Sequence, residues 1–120
     1  MDFKFINTEY LDSVSGGDNE IIREIVVMFT EQVVETEYQM RTLLAEKSYT
    51  TLGLLAHKAK SSVAIMGMGD LAALLKTFEL QAKEGIATDK YESYINRFVQ
   101  ETDEAIKELN ELLNNRIKKI

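Results

Sequence analysis

His57 is the single histidine in a 120-residue chain that contains no cysteine, tryptophan or proline. With no thiol and one imidazole, few routes to covalent chemistry remain. The residue stands in Ala56-His57-Lys58-Ala59-Lys60-Ser61-Ser62. Lys60 follows one helical turn later, within reach of anything added to the ring. Lys58 is adjacent in sequence but about 100° around the helix. A phosphoryl group on an imidazole carries negative charge, and a nearby ammonium neutralises it as a mobile point charge.

The elements that must position these residues are helices, because the apolar residues repeat at helical spacing almost throughout. A short helix is predicted near Thr8–Val14, broken by Ser15-Gly16-Gly17. Asp18 or Asn19 can cap a long helix with the stripe Ile22, Ile25, Val26, Phe29, Val33, Met40, Leu43 and Leu44. Ser48 is the expected N-cap of the next helix, which runs to about Met66 and turns Leu52, Leu55, Ala56, Ala59 and Val63 inward. Gly67-Met68-Gly69 interrupts, and Asp70 begins a third long helix that carries Leu71, Leu74, Leu75, Phe78 and Ala82 and closes at Gly85. Thr88 or Asp89 opens the last helix, with Tyr91, Tyr94, Ile95, Phe98, Thr102, Ala105, Ile106, Leu109, Leu112 and Leu113 inward. Arg116, Lys118 and Lys119 suit the C-terminal end of that helix electrostatically. Four amphipathic helices with short connections can bury their stripes only against one another. The expected fold is therefore all-α: an antiparallel up-down four-helix bundle with a short extra N-terminal helix, a single domain over residues 1–120.

Helix position converts to direction at about 100° per residue. With Ala59 at the centre of the core stripe, His57 falls about 160° away and is expected to face solvent. Its helical neighbours are Gly53 four before, Ser61 four after and Ala64 seven after. A solvated face normally carries long polar side chains, and Gly in a helix interior costs about 0.5–1 kcal/mol relative to Ala. Small residues around an outward imidazole would let another surface approach it, with Leu54 as an exposed apolar contact and Lys58 beside it. No carboxylate stands three or four residues to either side of His57. Met66 and Met68 read as core or junction fillers or as additions to that docking patch.

Composition removes several classes. Hydrophobic residues at 45% and charged residues at 28% suit a globular domain with one core. The absence of cysteine excludes disulfides and thiolate metal sites. A net charge of −6 argues against nucleic acid as a partner. No apolar run reaches the ~18 residues of a membrane span, and the first residues lack the pattern of a secretory signal. A cytoplasmic, freestanding monomer is expected.

His57-x-x-Lys60-Ser61-Ser62, with Gly67 ten residues after the histidine, Leu71 beyond it and Phe78-Glu79 in the next helix, resembles the histidine-containing phosphotransfer (HPt) domain. The resemblance spans essentially the whole chain and implies a four-helix bundle that relays phosphoryl groups. It implies that His57 is the phosphoacceptor and Lys60 its charge support; the docking surface expected around them, Gly53, Leu54, Lys58, Ser61 and Ala64, comes from their positions on the helix. Ser61 stands where the family usually has Gly; it is still small, and its hydroxyl is a candidate donor to the phosphoryl group. The implied partners are response-regulator receiver domains or a hybrid sensor histidine kinase. The chain itself would need no cofactor, the Mg²⁺ being expected on the receiver, and would have no ATP-dependent kinase activity, since no nucleotide cradle is visible. Two other classes compete. A non-catalytic helical adaptor would leave the cleared face around His57 accidental. A di-metal carboxylate bundle would need inward Glu-x-x-His motifs on two helices, which one outward histidine cannot supply.

Overall fold

Two left-handed glycines, Gly16 and Gly17 (φ +65° and +76°), end the first helix, and the Asp18 side chain then accepts the backbone N–H of Glu20 at 2.8 Å to start the second. A computed structural model of the protein describes residues 4–118. It contains α1 (Thr8–Ser15), α2 (Asn19–Ala45), α3 (Tyr49–Ile65), α4 (Gly69–Glu84), a 3₁₀ turn (Thr88–Lys90) and α5 (Tyr91–Lys118), with no strand among the described residues. No helix among them is long and apolar enough to cross a membrane. Lys119, assigned to the closing turn of α5, lies outside the described residues.

The connections differ from the sequence expectation in detail. Ser48 occupies the N-cap of α3, but its side chain makes no capping hydrogen bond. The fourth helix starts at Gly69, one residue before Asp70, and the last α-helix begins at Tyr91 after the 3₁₀ turn. Gly85 closes α4 with φ +68°, the left-handed conformation that favours glycine at this position.

The four long helices make a closed ring of contacts, α2 to α3, α3 to α4, α4 to α5 and α5 back to α2, with the closest packing between α3 and α4. One core fills the ring, centred on Phe29, Met40, Leu52, Phe78, Tyr91 and Phe98. Tyr91 packs against Phe78 and Tyr49, and its hydroxyl donates to a carbonyl near the end of α4. The buried Thr102 satisfies its hydroxyl on the Phe98 carbonyl of its own helix at 2.6 Å. Met66 and Met68 are both core residues, so neither adds to a docking patch.

α2 and α5, with 27 and 28 residues, are about 40 Å long, whereas α3 and α4, with 17 and 16, reach about 25 Å. The N-terminal segment and α1 lie along the excess. Backbone N–H groups of Lys4, Phe5 and Ile6 all donate to the Glu108 carboxylate on α5, and Leu11 of α1 is fully buried. Asn7 donates its N–H to the Met66 carbonyl at the end of α3. It crosses so close to Gly67 (φ +78°) that a β-carbon there would collide with the Asn7 side chain.

Candidate functional site

The His57 side chain is 56% exposed on the outer surface of α3, as its helical angle predicts. Its Nδ1 lies 2.9 Å from Oε1 of Glu79 on α4. Glu79 is itself only 6% exposed. The second carboxylate oxygen accepts from Lys83 Nζ at 2.8 Å, and Lys60 Nζ lies 3.8 Å from the oxygen that His57 engages. One buried carboxylate thus gathers His57, Lys60 and Lys83.

This arrangement fixes protonation states. The hydrogen bond from Lys83 is the largest influence on Glu79; burial opposes it, and the His57 contact adds to it, so the carboxyl is held down at about 2. An ionised carboxylate can only accept, so His57 Nδ1 must carry the hydrogen. A neutral ring in that tautomer keeps its Nε2 lone pair free, and Nε2 is the nitrogen away from Glu79. With His57 neutral, two ammonium groups face one carboxylate, which leaves a local charge of +1 in a chain of net −6. The site is an exposed nitrogen nucleophile, oriented from behind and flanked by positive charge.

Glu79 is the residue that spacing along α3 alone misses, because it arrives from the next helix, 22 positions on. A signal for it exists in α4. Glu79 follows Leu75 by four residues and precedes Ala82 by three, so it sits within the apolar stripe. A carboxylate in a stripe must find cations, and Lys83 one turn on supplies the first.

The expected docking residues divide. Leu54, Lys58, Ser61 and Ala64 are exposed on the same helix as His57. Leu54 and Lys58 border an apolar groove of about 470 Å³ between α2 and α3, shared with Tyr38, Leu43 and Leu55. The Ser61 hydroxyl turns back toward the His57 carbonyl at 3.5 Å, the outer limit of a hydrogen bond. Gly53 is a correction: it is buried against α4 and is not part of the open surface. The helical angle placed it off the core centre of α3, but α4 packs onto that flank.

A second, more polar cleft of about 510 Å³ lies where Lys4 and Phe5 meet the α3–α4 turn and α5. Its Arg97 is already paired with Glu101. Its wall begins at Gly67, about 15 Å along α3 from His57, too far to share chemistry with it. Among the described residues no group of three or more histidine, cysteine, aspartate or glutamate side chains could hold a metal ion. No protein-family model matches the chain, and no curated protein or solved structure matches it either.

Proposed function

We propose that this protein is a phosphorelay intermediate of the histidine phosphotransfer kind, with its four long helices running alternately up and down. The observation that carries the reading is the exposed His57 ring, tied through Nδ1 to a buried ionised carboxylate with Lys60 and Lys83 alongside. The antiparallel course of α3 and α4 is supported by the pairing of His57 with Glu79 and of Gly53 with Lys83, since one number rises as the other falls.

A receiver domain presents a phospho-aspartate above His57. The Nε2 lone pair attacks phosphorus in line, a P–N bond forms, and the P–O bond to aspartate breaks with its electrons returning to the carboxylate. Positive charge then develops on the ring, and the Glu79 carboxylate at Nδ1–H opposes it. Lys60 and Lys83 balance the charge of the phosphoryl oxygens. The reverse step delivers the group to the aspartate of another receiver. This chain supplies nucleophile, orientation and docking surface; the receiver supplies Mg²⁺ and most of the electrostatic catalysis. The groove at Leu54 and Lys58 is an apolar contact with a positive rim, suited to the acidic surround of a phospho-aspartate. We place the protein in the cytoplasm as a monomeric carrier without kinase activity of its own.

The test is phosphoryl transfer from a panel of acetyl-phosphate-charged receiver domains to wild type and to His57→Gln. Acid-labile, base-stable label on wild type alone is the expected result. No label on the folded wild type from any receiver would reject the relay and leave a non-catalytic adaptor bundle.

A further inference from the structure

Gly53 was expected to open the surface around His57, and the structure gives it another task. A β-carbon at this position would meet Lys83 Cγ at 3.0 Å, the Glu79 carbonyl oxygen at 3.1 Å and the Lys83 backbone nitrogen at 3.3 Å. A side-chain carbon can move aside. The other two atoms belong to the backbone of α4, so any residue larger than glycine pushes the helix itself away by a few tenths of an ångström. Those two backbone atoms carry the residues that build the site, Glu79 and Lys83. His57 lies four residues after Gly53 on the same side of α3. The gap between the helices at Gly53 therefore sets how far the Glu79 carboxylate reaches toward Nδ1, a distance now 2.9 Å.

We infer that Gly53 is a positioning residue: its missing side chain lets α4 approach closely enough for Glu79 to hold His57 in the Nδ1–H form. Its consequence for transfer rests on the phosphorelay reading above; its consequence for the ring does not. Glycine within a helix is unfavourable compared with alanine, so Gly53 stands in α3 against helix propensity. Gly53→Ala consequently favours the helix while it loosens the site, and the two effects have opposite signs. Gly69 supplies the control, because nothing lies within 4 Å of a β-carbon added there.

The ring is directly observable, since His57 is the only imidazole in the chain. Two-bond ¹H–¹⁵N correlation spectra at about pH 8.5, where an imidazole is neutral, report its tautomer. Wild type and Gly69→Ala are expected to show Nδ1–H. Gly53→Ala is expected to move the ratio about tenfold toward Nε2–H, the form favoured by imidazole in water, as the charge-assisted bond weakens. Gly53→Val should move it further, and the alanine variant decides the matter if valine prevents folding. A Gly53→Ala spectrum identical to wild type would overturn the inference, as would Nε2–H in wild type. Uptake of label from a charged receiver is measured on the same samples. A shifted tautomer with slower uptake supports positioning in the relay. A shifted tautomer with unchanged uptake overturns the link to transfer. A shifted tautomer with no uptake by any form leaves Gly53 as the positioner and removes the relay.

Discussion

Glu79→Gln keeps the shape of the side chain and removes its charge, which isolates what the ionised carboxylate contributes. That carboxyl is held at about 2 in place of 4.5 by the contacts with Lys83 and His57. Taken at face value, a depression of this size corresponds to about 3 kcal/mol. The Lys83 and His57 side chains are 41% and 56% exposed, however. Screening by water reduces the figure to about 1–2 kcal/mol. The sign follows from proton binding. The folded state holds this proton less tightly than the unfolded state, so the contribution is complete above pH 4.5 and is lost as the pH falls toward 2. Urea unfolding of wild type and Glu79→Gln, compared at the same pH in steps from about 7 to about 2, lets the other carboxylates cancel to first order. Near neutrality the wild-type midpoint should lie roughly 0.5–1 M urea higher, at a slope of about 2 kcal/mol/M. The gap should close toward pH 2. A difference that stays constant or widens below pH 4.5 would refute the ionised bridge.

Three further outcomes are expected. Lys60→Ala should slow phosphoryl uptake about tenfold, the loss of one partly screened charge, with stability within about 0.5 kcal/mol of wild type in the same urea assay. Leu54→Glu should slow uptake from receiver domains through its exposed position beside the α2–α3 groove. Labelling by a small phosphoramidate, which needs no docking surface, should be unchanged. Gly67→Ala should lower stability by about 2–3 kcal/mol, because φ of +78° is strained for alanine and the new methyl group meets Asn7; thermal unfolding reads the loss directly.

The helices and their inward faces could be read from the chain because each stripe is set by its own 3.6-residue period. Ile22, Val26, Phe29, Val33 and Met40 of α2 are buried as their spacing requires. The outward direction of His57 followed from the same arithmetic. What escaped that reading depends on two helices at once. Gly53 has an angle on α3 that says nothing of how closely α4 approaches on that flank. Glu79 reaches His57 only because α3 and α4 lie side by side, a fact that no window along one helix contains. Ser48 shows a smaller gap: its residue type and place agree with a cap, yet its side chain is not used as one.

The unequal helix lengths divide the molecule into two storeys. Around His57 the ring of α2, α3, α4 and α5 is complete; beyond the α3–α4 turn only α2 and α5 continue, roofed by α1 and by the segment hung from Glu108. The upper storey contains fewer walls, and its covering segment is held by three backbone bonds to the Glu108 carboxylate, by the Asn7 bond to the Met66 carbonyl and by the buried Leu11. Its amides should exchange with solvent as one cooperative unit while those of α3 and α4 remain closed. Such breathing leaves the imidazole, its carboxylate and both lysines in register, so an event that loosened the N-terminal segment would pass the His57 cluster by.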